Sequence, residues 1–307
     1  MIRFRHAFCG CLLTAIVGTA MLPAASEPAR AGGGRGVEAG YIADFDWPRD
    51  QYVLRRGADE VPVTLTGRLM DGDVIEVTTD TGRIHLVIGR DRDVVVGKAE
   101  SPYKVEADDS MAGFWSGLLA WAAEQFDAMN EETEATAASQ MSRGGAPKLE
   151  IPLLARSPQR LAAGRRSIAF AWSTGTSPFT VNLGRKGSAK PLVAGSTPYS
   201  SWTSPPIDLT PGSYWLTVAE KNGEGNRVEA EIVVVERGAV PEPPSDARLD
   251  ALPSDLGATV FAAWLSGQEN GMWMLESYQR VVPVAERFRP ARLLAHKLIG
   301  GEPLPPP

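Results

Sequence analysis

Short apolar runs that alternate with polar residues restrict the fold of this chain more than any other feature. They include Val61–Leu65, Ser167–Trp172, Phe179–Leu183 and Tyr214–Val218. Side chains along a strand point to opposite faces in turn, so this period of two predicts half-buried β-strands. The 24 prolines and 31 glycines favour short strands joined by turns over a helical bundle. We therefore predict a mainly β protein with helical segments.

A chain of 307 residues is long for one compact core and predicts two or three modules. Shifts in composition and periodicity indicate where they meet. The predicted segments are a signal peptide (1–31), a flexible leader (32–40), a β-domain (41–109), an amphipathic helix (110–145), a β-sandwich (148–237), a Pro-rich linker (238–247), a helical unit (248–300) and a loose tail (301–307).

The first residues have the layout of a secretory signal peptide. Arg3 and Arg5 precede the apolar run Gly10–Leu22, and small residues follow at Ala24-Ala25-Ser26 and at Ala29-Arg30-Ala31. The alternative is an uncleaved membrane anchor, but the apolar run is short for a span. We expect an exported, periplasmic protein with no membrane span after cleavage.

Charge and cysteine content narrow the classes of partner. The formal net charge is −6, and the predicted signal peptide is itself basic, so the remainder is more acidic still. Phosphate contacts dominate nucleic-acid affinity, so an acidic chain predicts no nucleic-acid partner. Cys9 and Cys11 both lie in the signal peptide, which leaves neither a disulfide framework nor a thiol nucleophile.

The first β-domain contains a degenerate family motif. Gly67–Met70 leads into the turn Asp71-Gly72-Asp73 and the strand Val74–Val77, and Thr79-Asp80-Thr81-Gly82 separates that strand from Ile84–Ile88. The Gly-containing turn predicts that the two strands form a hairpin. This stretch resembles the FecR-type domain, and the resemblance covers about a fifth of the chain.

FecR proteins are periplasmic signalling proteins whose domain contacts an outer-membrane transducer. The resemblance therefore implies a β-fold and a binding role. Those regulators also have a cytoplasmic anti-sigma segment ahead of a membrane helix. We expect none here because the signal peptide stands at the start, so sigma-factor regulation is not implied.

The segment after this domain switches to a helical period. Leu118, Leu119, Ala122, Phe126 and Met129 follow i, i+3, i+4 spacing. One interpretation is a helix that covers an open sheet face. The other is a docking or membrane-interface helix, for which Trp115 and Trp121 are candidate binding residues, although the acidic second half disfavours anionic lipid.

The second β-domain ends its alternating runs with a corner sequence. Asp208–Tyr214 resembles the L-x-P-G-x-x-Y corner of fibronectin type III domains, one residue shorter. The resemblance implies an immunoglobulin-like sandwich in which the Tyr214 hydroxyl bonds to upstream backbone. Trp172 is then a core residue. Tyr199 and Trp202, in a Ser/Thr/Pro-rich stretch, are candidate binding residues, with packing onto the sandwich as the alternative for Trp202.

The carboxyl-terminal segment is predicted to hold three helices. Trp264, Trp273, Leu275-Glu276, Tyr278 and Pro290-Ala291 resemble a single degenerate tetratricopeptide-type hairpin. One such unit cannot bury its own apolar face, so it must pack on the rest of the chain or on a partner. Trp273 is the candidate binding residue of this unit.

Residues that could support catalysis or bind a cofactor are sparse. Only His85 and His296 lie outside the signal peptide, in different modules, so neither a Ser-His-Asp arrangement nor a zinc site is expected. Asp80-Thr81-Gly82 matches the aspartic-protease triplet in one copy, but Thr78 and Thr79 stand where that family has hydrophobic residues, and a turn explains all three residues without catalysis. Asp71-x-Asp73 and Asp91-x-Asp93 lack the rest of a calcium loop and are expected to be solvated turn residues.

Gly184–Lys190 lacks the Gly-Lys-Ser/Thr of a phosphate-binding loop and predicts a polar hairpin. We expect no cofactor, no metal and no enzymatic activity. The predicted function is that of a binding or scaffold component of a bacterial-type cell envelope, which engages a protein partner through its β-domains and helical unit. The alternative is a glycan- or peptidoglycan-binding protein.

Overall fold

The structure is a computed structural model. It describes residues 36–107, 115–138, 148–156, 158–221 and 226–307. The predicted signal peptide and both cysteines lie outside the described residues. The described chain is mainly β, with helical segments that include a carboxyl-terminal helical unit.

The first β-domain contains two four-stranded antiparallel sheets. Its strands are β1 (Glu38–Phe45), β2 (Tyr52–Arg56), β3 (Asp59–Val61), β4 (Arg68–Met70), β5 (Val74–Val77), β6 (Ile84–Ile88), β7 (Arg92–Val96) and β8 (Tyr103–Lys104). One sheet has the order β4-β1-β6-β7 and the other β3-β2-β5-β8. Because β1 begins at Glu38, the end of the expected flexible leader is part of a sheet.

The predicted β5–β6 hairpin is wrong. The two strands belong to different sheets, so the segment between them is a corner. Gln51 stabilises this corner, since its side-chain oxygen accepts from Thr79 Oγ1 at 2.6 Å. Tyr52 Oη donates to the carbonyl of Arg83 at 2.7 Å. These tertiary bonds replace the cross-strand ladder that a hairpin would have formed.

The second β-domain is a sandwich built around a five-stranded sheet. Its strands are β9 (Gln159–Ala162), β10 (Gly164–Arg166), β11 (Ala169–Ala171), β12 (Phe179–Arg185), β13 (Val193–Thr197), β14 (Ser201–Thr203), β15 (Ile207–Leu209), β16 (Gly212–Glu220) and β17 (Arg227–Val235). The large sheet has the order β13-β12-β16-β17-β9, and the pairs β10-β15 and β11-β14 form two small sheets. β9 runs parallel to β17, and the other strand pairs of this domain are antiparallel.

Alternation in the second β-domain produces the buried face that the sequence predicts. Val181, Leu183, Leu216 and Val218 are all buried, whereas their neighbours along β12 and β16 face outward. The predicted hydrogen bond of Tyr214 is confirmed, because its hydroxyl donates to the carbonyl of Thr210 at 2.9 Å. The polar hairpin is confirmed as well, since it joins the paired strands β12 and β13.

In the described part of the chain, four α-helices form a helical layer that contacts both β-domains. They are α1 (Gly117–Ala138), α2 (Ser254–Ser266), α3 (Met274–Val281) and α4 (Arg289–Ile299). The predicted apolar stripe of α1 is buried, and its main helical neighbours are α2 and α4. Helix α4 also contacts β1, and α3 contacts β9. The apolar faces of the carboxyl-terminal unit are therefore covered by this chain.

Buried polar side chains fix α3 against the second β-domain. Gln279 pairs with both backbone groups of Ala169, accepting from its N–H at 2.7 Å and donating to its carbonyl at 2.8 Å. Gln159 Oε1 accepts from the backbone N–H of Leu275 at 3.1 Å. Such bonds have strict geometry, so they fix one orientation of the helix on the sheet.

Arg289 connects the helical layer to the first β-domain. Its guanidinium donates to Asp44 Oδ1 at 3.0 Å and to the carbonyl of Phe45 at 3.1 Å, both in β1. The same group donates to Glu134 Oε1 of α1 at 2.7 Å. One side chain of α4 thus joins two other elements.

The predicted linker and tail both lie against the rest of the chain. Val240 and Pro244 have the extended backbone expected of a Pro-rich segment, and Ala247 is buried. Leu304 is buried, and its N–H donates to Ser266 Oγ at 3.4 Å. Glu302 and Pro305–Pro307 are exposed, whereas Gly301, Pro303 and Leu304 are at least partly buried, so the expected loose tail is packed only in part.

Candidate functional site

Of the two predicted binding residues in the second β-domain, only Tyr199 is prominent at the surface. It lies in the turn between β13 and β14 and is 72% exposed. Trp202, in β14, is half-buried and lies so close to Gly195 that a Cβ there would meet its indole nitrogen at 2.5 Å. The alternative interpretation therefore applies to Trp202, whose side chain is folded onto the sandwich.

The two predicted binding residues around α1 are half-buried. The guanidinium carbon of Arg68 lies 5.9 Å from the ring centroid of Trp115, and the backbone N–H of Trp115 donates to Glu38 Oε2 at 3.2 Å. Trp121 packs against the hydrophobic core. Both residues contribute to the junction between α1 and neighbouring parts of the chain.

Trp273 is not a surface residue, which corrects its place among the predicted binding residues. It has 0% exposure. Its indole N–H donates to Glu269 Oε1 at 3.0 Å, and the guanidinium carbon of Arg160 lies 5.6 Å from its ring centroid. The helical unit packs on this chain, so its large aromatic residue became core.

One of the exposed aromatic residues that the sequence interpretation missed is Trp215, in the middle of β16. It is 36% exposed, whereas its neighbours Tyr214 and Leu216 are buried. The alternation already contained the signal, because a residue between two inward-facing apolar positions must point outward. An outward-facing tryptophan on a flat sheet offers a large rigid contact surface with little conformational entropy to lose.

Small polar residues form the sheet surface around Trp215. Residues paired across antiparallel strands share a face. Gly184 is paired with Trp215, and a Cβ at Gly184 would meet the Cα of Pro191 at 3.2 Å, so the hairpin 185–192 lies close to this cross-strand position. The next outward-facing row contains Ala194, Asn182, Thr217 and Glu229. We call this outward surface of β13, β12, β16 and β17 the Trp215 face.

A cation and a carboxylate hold the indole in place. Lys186 Nζ lies 5.5 Å from the ring centroid of Trp215 and donates to both carboxylate oxygens of Glu231 at 3.1 Å. Glu231 is also the cross-strand partner of Trp215. The hydrogen bond from Lys186, followed by that from Ser213, lowers the pKa of Glu231 below its ordinary value. Glu231 is therefore ionised at neutral pH.

Two depressions flank Trp215. One has a volume of about 600 Å³ and runs over Thr180, Asn182 and Thr217. The other, of about 660 Å³, lies against the segment 148–155. Trp215, Arg227 and Glu229 line both. Each volume falls within the roughly 300–1,000 Å³ range of small-ligand sites.

A second exposed tryptophan lies on the first β-domain. Trp47 is 42% exposed, and the guanidinium carbon of Arg49 lies 5.7 Å from its ring centroid. Like Trp215, Trp47 is an exposed tryptophan with a basic side chain close to its ring. It is therefore a suitable control for the properties of an exposed tryptophan as such.

The predicted acidic turn around Asp73 is a structural ion pair. Asp73 is buried, and its carboxylate accepts from Arg56 Nε at 2.9 Å and Nη2 at 2.8 Å. It also accepts from the Met70 N–H at 2.8 Å, so it is not the solvated residue that was expected. Within the described residues, no cluster of three or more His, Cys, Asp or Glu side chains is arranged to hold a metal ion.

His85 and His296 are exposed on β6 and α4. The helices in the described parts of the chain do not combine the length and apolar character needed to cross a bilayer. Comparisons with protein-family models, with curated proteins and with solved structures gave no match.

Proposed function

We propose that this chain is an exported, non-enzymatic binding component of a cell envelope and that it engages its ligand through the Trp215 face. The observation that supports this proposal most strongly is that Trp215 is exposed between two depressions on a polar sheet surface. Tryptophan is among the residues most enriched where binding energy concentrates.

The rigidity of the surrounding structure supports this role. The backbone of the Trp215 face is hydrogen-bonded from strand to strand, and the Lys186–Glu231 pair restrains the indole. A ligand that binds there orders few groups that were free before, which lowers the cost of association.

The packing of the helical layer changes where we place the interface. The sequence interpretation assigned partner binding to the β-domains and to the carboxyl-terminal unit together. The apolar residues of that unit, including Leu275 and Leu294, are buried within the chain. We therefore propose the second β-domain as the binding module and the helical layer as its support.

Two family assignments accompany the proposal. We propose that the first β-domain is FecR-like and the second immunoglobulin-like. The Tyr214–Thr210 hydrogen bond supports the second assignment, because that bond is the defining contact of the tyrosine corner. For the first, the support is the motif in residues 67–88 and its two-sheet β-fold.

Co-sedimentation with the envelope fraction of the source cells tests the binding role. We expect Trp215→Ala to weaken the affinity for the envelope fraction about 30-fold. This factor corresponds to the ~2 kcal/mol loss of binding free energy that defines a binding hot spot. The matched control Trp47→Ala should sediment like the wild type. Equal sedimentation of the two variants would overturn the Trp215 face as the interface.

Cell fractionation tests export. We expect the protein in the periplasmic fraction, with an intact mass that corresponds to cleavage after one of the small-residue sites between Ala24 and Ala31. A full-length mass in the membrane fraction would instead indicate an uncleaved anchor.

A further inference from the structure

The ligand class can be inferred from the shape and chemistry of the Trp215 face, and the inference rests on the proposed function. The two depressions share Trp215, Arg227 and Glu229, so they are parts of one groove. Along β16, the outward-facing residues Trp215, Thr217 and Ala219 span roughly 13 Å at about 3.3 Å per residue. A groove of this length fits an extended chain better than a compact metabolite.

The charges of the groove nearly balance, since Lys186 beside the indole adds one cation to an evenly charged lining. Its lining contains three basic and three acidic side chains: Lys148, Arg185 and Arg227, with Glu150, Glu229 and Glu231. Arg227 and Glu229 are paired with each other, and Lys186 is paired with Glu231 beside the indole. A polyanion or a polycation would meet repulsion from one half of this set, so the groove suits an uncharged ligand.

The remaining polar groups are of the kind that recognise hydroxyls. The hydroxyls of Thr180 and Thr217 donate within the chain, to the Ala219 carbonyl and to Glu229 Oε1, and keep lone pairs that can accept a hydrogen bond. Asn182 offers an exposed amide with both donors and acceptors. The ring of Trp215 is electron-rich and already has the Lys186 ammonium 5.5 Å from its centroid, so the C–H groups of a ligand would contact the part of the indole that Lys186 does not cover. A pyranose ring matches both kinds of group. One of its faces presents C–H groups to the indole, and its rim presents hydroxyls to the polar side chains.

An extended peptide is a poorer fit to this position. Peptides that add to a sheet pair with free backbone groups at its edge. Trp215 lies in β16, an inner strand whose backbone pairs with both β12 and β17. Recognition on the Trp215 face must therefore come from side chains alone.

We propose that the Trp215 face binds an uncharged, β-linked oligosaccharide of equatorially substituted pyranoses, with one sugar stacked on Trp215 and its neighbours hydrogen-bonded to Asn182 and Thr217. Equatorial substitution leaves the C–H groups of the ring free to contact the indole. β-Linkage keeps the chain extended along the groove.

Isothermal titration calorimetry of the purified protein with N-acetylchitotetraose and with cellotetraose tests this inference. We expect at least one of them to bind, with an affinity that falls roughly tenfold or more in Trp215→Ala and severalfold in Asn182→Ala. Trp47→Ala should bind like the wild type. Circular dichroism spectra that match the wild type would show that each variant is folded.

Envelope sedimentation separates failure of this inference from failure of the proposed function. If the inference is correct, Trp215-dependent sedimentation persists after protease treatment of the envelope, and the bound oligosaccharide competes with it. If protease treatment abolishes sedimentation and neither oligosaccharide binds, the ligand is a protein. The binding role then stands while the carbohydrate inference falls. Sedimentation that does not depend on Trp215 overturns both.

Discussion

Tyr214 shows how one hydroxyl fixes the entry into β16. The group donates to the carbonyl of Thr210 at 2.9 Å and accepts from the Thr210 N–H at 3.2 Å. We expect Tyr214→Phe to lower the free energy of unfolding by about 1 kcal/mol, because Thr210 is exposed and water replaces part of the loss. Urea unfolding measures this change.

The control for that experiment is Tyr199→Phe, which removes a hydroxyl from an exposed side chain. Its unfolding free energy should stay within about 0.5 kcal/mol of the wild type. Equal effects of the two substitutions would show that the corner bond contributes nothing specific.

Lys186 is expected to set the ionisation of Glu231. The pKa of Glu231 lies below its ordinary value of 4.5 chiefly because Lys186 donates a hydrogen bond to it. The pair is thus complete above pH 4.5 and is lost only as the pH falls through the lowered pKa. We expect Lys186→Met to raise this pKa toward 4.5, as measured by carbon-13 NMR of the carboxyl group. An unchanged pKa would contradict the role assigned to Lys186.

For single residues, the local sequence pattern predicted several features correctly. It did not predict the features that depend on long-range packing. The hydrogen bond of Tyr214 followed from a seven-residue sequence, and the exposure of Trp215 followed from strand alternation. The burial of Trp273 did not, because it depends on which face of the carboxyl-terminal unit meets the rest of the chain. An amphipathic pattern indicates that a face is buried without indicating what covers it.

At the scale of elements, Glu276 is the charged group that joins α3 to the second β-domain. It is 1% exposed, accepts from the Ala162 N–H at 3.1 Å, and pairs with Arg166 at 2.9 Å and Arg280 at 3.1 Å. We expect Glu276→Ala to lower the free energy of unfolding, measured in urea, by about 2–3 kcal/mol. The expected cost is below that of a fully buried pair because both arginines are partly exposed to water.

Glu286→Ala is the matched control, since it removes an exposed carboxylate from the same helical unit. We expect Glu286→Ala to change the free energy of unfolding by less than about 0.5 kcal/mol. If the two variants unfold alike, Glu276 does not hold the helix on the sheet.

The β5–β6 corner shows why element type is easier to predict than element pairing. Both strands were expected from their apolar runs, and both are present. Their partners were missed because the side chain of Gln51, which lies well upstream, shapes the intervening segment. The position of α3 depends on Gln159 of β9, which bonds Leu275, and on Gln279, which bonds Ala169 of β11, over separations of 110 or more residues that local patterns do not encode.

At the scale of the whole molecule, the modules expected from the sequence are parts of one unit, Gly36–Pro307. The helical layer contacts β1 on one side and β9 on another, so its unfolding would expose apolar surface of both β-domains. We expect differential scanning calorimetry to show one cooperative transition, with equal calorimetric and van 't Hoff enthalpies. Two separated transitions would mean that the β-domains fold independently of the layer.

The same packing determines which truncations are informative. Removal of residues 246–307 would strip Leu256, Trp273 and Leu294 from the core. Loss of a partner in that truncation would report unfolding and not the position of an interface. Point variants on exposed residues avoid this ambiguity.

We propose that this protein contacts its ligand in cells through the Trp215 face. The most direct test of this proposal is in-cell photo-crosslinking from a photoreactive residue in place of Ala194, which lies exposed in the same outward-facing row as Asn182. The control position is Glu60, exposed on β3 of the first β-domain. We predict an adduct from position 194 that Trp215→Ala abolishes, and none from position 60. An adduct from position 60 alone, or one from position 194 that persists in Trp215→Ala, would contradict the proposal.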